Sequence, residues 1–342
     1  MILSIQYLRA VSALMVVWVH ARYIIPGIAE RLGAPYFGGS AVDLFFIISG
    51  FIMVVTTARN EMTPQAFFLL RIVRVVPLYW LATLAVIVCA AFANSSHLEA
   101  GYPPIDIAKS LLFVPYASPR GGGAWPILDN GWTLNYEMFF YALFALSIAA
   151  PRRVRLPGLA VVLGSLALIG RAFGPFASPV ASFYSSALLL DFVTGMILAH
   201  GWLRDGSRDW LPLSLFLIVF GFYCIGSLHS RLMIMSGALL IVAGCLNPRI
   251  CAVQNRTFLE LGNASYSIYL IHEFVLDALA RPWARLFPLA TWASSALFMA
   301  LALVLCAAAG CLCYRFIELP MTSRLRKLVK DSGDYLRSQT SS

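Results

Sequence analysis

Residues 6–20 read QYLRAVSALMVVWVH, and the apolar run they belong to extends over about residues 5–25. About 20 apolar residues, at 1.5 Å of helical rise each, cross the roughly 30 Å of bilayer hydrocarbon. Inside this run stand Arg9 and His20, and the next two runs carry Asp43, then Arg71 and Arg74. An ionisable group at such depth costs roughly 2.5–3.5 kcal/mol on insertion scales unless it is paired or lines a wet cavity. The stretch therefore reads as a membrane span that carries part of a polar site.

The rest of the chain has the same character. Of 342 residues, 60% are hydrophobic and 12% charged, and mean hydropathy is +0.79. A soluble domain carries about twice that share of charge. The cysteines lie in or beside apolar runs, except Cys251 in a short basic loop, and none has CxxC or metal-ligand spacing. They read as small apolar residues rather than a disulfide framework. The first run has no basic segment before it and holds Arg9 and His20, so it is expected to be a permanent span, not a cleaved signal.

A window of about 19 residues picks out ten candidate helices, near residues 5–25, 39–58, 68–93, 132–150, 156–173, 182–202, 211–227, 231–247, 258–280 and 288–317. Pro and Gly clusters or charges separate most of them. The longest loop, about residues 94–131, is apolar from Ile107 to Pro115 and is expected to hold a short interfacial helix. The expected fold is all-α: a polytopic membrane helical bundle of about ten transmembrane helices over residues 1–320. A polar cytoplasmic tail over residues 321–342, disordered at its end, would follow.

Basic residues orient the bundle. With the N-terminus inside, sixteen Lys and Arg fall on the cytoplasmic side and eight outside, with Arg9 within the first span. This bias places both termini in the cytoplasm. The net charge of +9 is then a topology signal that also attracts anionic membrane lipid. Nucleic acid is not an expected partner, because the basic residues are divided among short loops.

Topology gives each polar group a depth. His20, Asp43 and Glu137 each fall about four or five residues from the outer end of their helix, in one layer roughly 6–8 Å below the surface. His272 lies deeper, on the ninth helix. Arg71 and Arg74, three residues apart and so on one helical face, sit at the cytoplasmic end of the third. A histidine near a carboxylate makes a general base, and paired arginines suit phosphates. Together they fit transfer of an acyl group from a cytoplasmic phosphate-bearing donor to a hydroxyl. Each group also has a plainer reading. His20 can serve as an interhelical hydrogen-bond donor, Asp43 can pair with Arg9 or Arg22 for assembly, and the two arginines can anchor the helix at lipid headgroups. His272-Glu273 is followed by no second histidine at zinc-binding spacing.

Six segments carry a resemblance to a known family. They are Gln6 to Ala10 leading to His20, Val42 to Phe51, Arg71 to Trp80, Trp132 to Glu137, Ser265 to His272, and Tyr314 to Pro320. In this order they resemble the acyltransferase-3 family of bacterial membrane O-acyltransferases, and within it the exopolysaccharide acetyltransferase branch. One departure is Ala41, where the family often has Gly before Val-Asp.

The resemblance implies His20 as catalytic histidine with Arg9 below it, and Arg71 with Arg74 as the RxxR pair associated with binding the acyl-CoA donor; Arg71, Arg74 and Arg9 would hold the phosphates of acetyl-CoA. It marks Asp43, Glu137 and His272 as recurring polar positions. The expected reaction moves an acetyl group to a sugar hydroxyl of an exopolysaccharide or its lipid-linked precursor, in the bacterial cytoplasmic (inner) membrane. His20 would be the base, Asp43 or Glu137 would orient it, and Tyr136, Arg9 or a backbone amide would steady the oxyanion. No metal is expected, and polysaccharide-assembly proteins are candidate partners. The alternative is a transporter or flippase of lipid-linked sugars, which would need a similar polar seam but no acetyl donor.

Overall fold

The structure, a computed structural model, describes residues 2–25, 27, 28, 37–59, 62–92, 102–118, 123–206, 209–227, 230–287 and 291–340. These form helices α1 (Leu3–Ile24), α2 (Phe37–Arg59), α3 (Pro64–Phe92), α4 (Pro104–Leu111), α5 (Trp132–Ile148) and α6 (Arg152–Phe173). They continue with α7 (Pro179–Tyr184), α8 (Leu189–Asp205), α9 (Leu211–Ser227), α10 (Arg231–Cys245), α11 (Pro248–Ala252) and α12 (Arg256–Asn263). Last come α13 (Ser265–Leu286), α14 (Trp292–Cys313), a π-helical turn (Tyr314–Glu318) and α15 (Leu319–Thr340). There is no strand among the described residues. Among the described residues, six stretches are long and apolar enough to cross a membrane: Leu3–Ile24, Ser40–Ala58, Pro64–Ala91, Arg152–Phe173, Pro179–Asp205 and Trp292–Val329. This is the expected all-α membrane architecture, with the expected short helix in the long loop present as α4.

Three boundaries differ from expectation. The span placed at residues 182–202 is broken between α7 and α8. There the Ser185 hydroxyl donates to the Ser182 carbonyl, the Ser186 hydroxyl accepts from the Leu188 backbone N–H, and Ser185 presses its carbonyl on Gly170, where a Cβ would meet it at 1.9 Å. Serines that bond locally compete with the helix ladder. The span placed at 258–280 is divided at Ala264: α12, capped by Asn255, ends there and α13 begins. Residues 321–340 are helical, because the π turn passes α14 on to α15 and the Thr322 hydroxyl bonds the Glu318 carbonyl within that ladder.

The chain forms two compact units, residues 1–55 with 194–316 and residues 56–193 with 317–342. In the first, α1 is the hub, flanked by α12, α13 and α14. Its Ala13, Val17 and Ala21 are buried against Ile268 and Leu276 of α13 and Phe298, Met299, Ala302 and Cys306 of α14. Small residues let apolar helices approach closely where lipid offers no hydrophobic drive. Gly310 shows the limit: a Cβ there would lie 2.2 Å from the Ile268 side chain.

In the second unit α3 packs on α5 and α15, and α4 docks beside it. The buried Tyr79 hydroxyl donates to the Ser110 carbonyl at 3.0 Å, and the Trp80 indole N–H donates to the Leu111 carbonyl at 2.8 Å. Phe67 stacks on Phe144, and Phe140 on Phe192. This packing holds the face of α3 that carries Arg71 and Arg74.

Candidate active site

His20, one turn before the end of α1, meets α13 in the first unit. Its Nδ1 lies 3.3 Å from Glu273 Oε1, and its ring stands edge-on to His272, with centroids 4.8 Å apart. His272 is fully buried. Its Nδ1 is 2.6 Å from the Tyr269 carbonyl, one turn back on the same helix. A carbonyl can only accept, so Nδ1 carries the proton and Nε2 keeps its lone pair. That Nε2 is buried with no hydrogen-bond partner among the described residues. Cys306 of α14 caps the His272 carbonyl through its thiol at 3.8 Å, which ties the cluster to the α13–α14 packing.

This arrangement can do two things chemically. A half-buried imidazole held by a carboxylate has one nitrogen oriented and the other available to accept a proton. A second imidazole beside it, its lone pair bare, adds an acceptor in a dry wall.

The other expected site residues have definite partners. Asp43, buried on α2, is ion-paired with Arg231 at the start of α10. The sequence-based candidates, Arg9 and Arg22, are thus replaced by a partner 188 residues away in sequence. Arg9 donates to the Gln6 side-chain carbonyl at 3.3 Å. In the second unit Glu137 accepts from the Tyr141 hydroxyl, one turn further along α5. The Arg71 guanidinium lies over the rings of Tyr141, at 6.0 Å, and Phe67, at 5.6 Å. Glu137, expected in the outer layer far from the arginines, is therefore linked to Arg71 through Tyr141. A tyrosine on the next turn spans what counting residues from helix ends cannot register. The Tyr136 hydroxyl donates to the Phe183 carbonyl at 2.9 Å, and its ring stacks on Phe183. Its single proton is committed, which leaves little for an oxyanion.

The two arginines of α3 are not equivalent. Arg74 is ion-paired with Glu318, a fully buried carboxylate in the π turn. Arg71 has only aromatic faces, no carboxylate partner among the described residues, and a buried Nε without a hydrogen-bond partner. Of the two, Arg71 is the one without a carboxylate partner among the described residues.

Sequence reasoning missed Glu273 as the carboxylate beside His20. A signal was present, since Glu273 follows His272 directly. The spacing test applied to that pair looked for a nearby second histidine, and the partner comes from 253 residues earlier.

A family model described as an acyltransferase domain matches residues 2–311. The exopolysaccharide production protein ExoZ of Rhizobium meliloti (strain 1021) is 38% identical over 269 residues, which cover 74% of this chain and 81% of that protein. No solved structure matches the chain.

Proposed function

Because the chain belongs to the acyltransferase family whose model spans residues 2–311, we propose that it is a membrane O-acetyltransferase of exopolysaccharide production, with His20 as general base. The likeness to an exopolysaccharide production protein supports a polysaccharide or lipid-linked sugar as acceptor. The donor is acetyl-CoA, taken from the cytoplasm at the bacterial inner membrane, with Arg71 gripping its phosphates. The observation that carries the reading is the contact of His20 with Glu273 at 3.3 Å.

The reaction follows from these side chains. His20 removes the proton of a sugar hydroxyl as its oxygen attacks the acetyl carbonyl carbon. The tetrahedral intermediate collapses with loss of the coenzyme A thiolate, which takes up a proton. Glu273 fixes the imidazole's orientation and stabilises its charged form, the role first sought in Asp43 or Glu137. Those two carboxylates act in assembly and near Arg71 instead, through Arg231 and Tyr141.

The test is transfer of labelled acetyl groups from acetyl-CoA to the host's isolated polysaccharide precursor, in membranes holding wild type, His20→Ala or Glu273→Gln. General-base catalysis is worth about 10²–10⁴-fold. Label reaching the sugar should fall by about that factor in His20→Ala and by less in Glu273→Gln. Equal labelling with and without His20 removes it from the mechanism. A silent wild type, with folding and acceptor verified, favours a transporter of lipid-linked sugars.

A further inference from the structure

The cluster at the end of α1 has a composition that the base reading does not use up. One ligand atom from each of His20, His272 and Glu273 can be chosen so that all three lie within 4.8 Å of one another. Two histidines and a glutamate are a known three-ligand set for open zinc sites, with a fourth position left to solvent or substrate. In a tetrahedral zinc site with bonds of about 2.0–2.1 Å, ligand atoms stand about 3.3–3.4 Å apart. The separation of His20 Nδ1 from Glu273 Oε1, 3.3 Å, already has that length. His20 retains 41% of its side-chain exposure and Glu273 27%, so both can draw in the remaining ångström or so.

The second observation concerns His272. Histidines that ligate metals generally donate their other ring N–H to a carbonyl or carboxylate, which fixes the tautomer and raises ligand basicity. His272 does this through Nδ1 and the Tyr269 carbonyl. The nitrogen left over is fully buried and lacks a partner among the described residues. A buried acceptor without a partner is costly, and a cation is what such a lone pair can take up.

We propose that His20, His272 and Glu273 form a binding site for a zinc-class divalent ion, and that an ion there switches off transfer by occupying the imidazole the base step needs. The first half stands on the geometry alone; the second rests on the general-base reading of His20.

The experiment has two arms on the purified full chain in detergent. In the first, Co²⁺ is titrated into wild type, Glu273→Gln and His20→Asn while the visible ligand-field bands are recorded, and Zn²⁺ is then added as competitor. Wild type should bind one equivalent with the intense bands of a tetrahedral site, and Zn²⁺ should bleach them. Losing an outer-shell partner alone costs 10–100-fold in affinity, so each variant should bind at least about tenfold more weakly. Both changes lie on the half-exposed side of the cluster, and melting curves confirm that the variants fold. An absence of bands in folded wild type, or equal binding by all three, overturns the ion site. In the second arm acetyl transfer is followed against free Zn²⁺ and after chelation. Transfer should fall as the site fills and return with the chelator. Undiminished transfer by zinc-loaded protein overturns the switch. A wild type that is silent without any metal counts against the base reading only, because the cobalt arm judges the ion site independently.

Discussion

At the scale of single residues, the two arginines of α3 make the sharpest distinction. Sequence spacing put Arg71 and Arg74 on one face, and the structure divides their duties by the company each keeps. Arg74 neutralises the fully buried Glu318. Removing one partner of a buried ion pair strands the other charge and costs about 3–5 kcal/mol, whereas replacing both by apolar groups is often neutral. Arg74→Met should therefore lower the melting temperature in detergent sharply, and Arg74→Met combined with Glu318→Leu should recover most of it. A single variant as stable as wild type would show that the pair carries no stability. Among the described residues, Arg71 is bound by the faces of Phe67 and Tyr141. A hydrogen bond to a charged group contributes about 1.5–3 kcal/mol, which corresponds to about 10–150-fold in affinity. Arg71→Gln should raise KM for acetyl-CoA by about that factor while the fold keeps its stability. An unchanged KM would take Arg71 out of the donor site. None of this division was legible in the sequence, since Glu318 lies 244 residues after Arg74.

At the scale of elements, periodic apolar runs gave α1, α2, α3, α5 and α6 close to their observed places, because hydropathy over about 20 residues dominates any local preference. What the runs could not show was where neighbouring backbones touch. The break between α7 and α8 and the division at Ala264 both occur where a glycine elsewhere or nearby lets backbone press on backbone. Gly262, for instance, would place a Cβ 2.2 Å from the Gln6 carbonyl. The contact of α13 with α14 is of the same kind and bears on function. Gly310 meets Ile268, and the same helix pair joins Cys306 to the His272 carbonyl. Adding bulk to a well-packed site costs about 1–3 kcal/mol. Gly310→Val should lower thermal stability by about that much and reduce acetyl transfer, by pushing apart the helices that hold His272. Ile268→Ala in the same chain should restore part of both, since it vacates the space the new side chain needs. Loss without any rescue would mean that the effect arises elsewhere than at this contact.

At the scale of the whole molecule, orientation in the membrane decides whether the chemistry can run at all. Acetyl-CoA is made and kept in the cytoplasm, so the proposed donor role of Arg71 requires it to open to that side. The expected ten-span topology puts sixteen basic residues on the side of the termini and eight opposite, a bias that sets orientation when it falls in short loops near span ends. That bias was legible from the sequence because it depends on which loop a residue occupies, not on what it touches. Fluorescent protein fused after Ser342 should fluoresce, which it does only in the cytoplasm. Alkaline phosphatase inserted between Ser95 and Ser96, after α3, should be active, which it is only outside. The converse pair of results would turn α3 over and set Arg71 and Arg74 at the outer face. Acetyl-CoA could not reach them there, and the donor role assigned to Arg71 would fall even if His20 proved essential. Agreement with the expected pair would instead give the acyl group a direction. It would enter from the cytoplasmic side, where Arg71 is proposed to hold the donor.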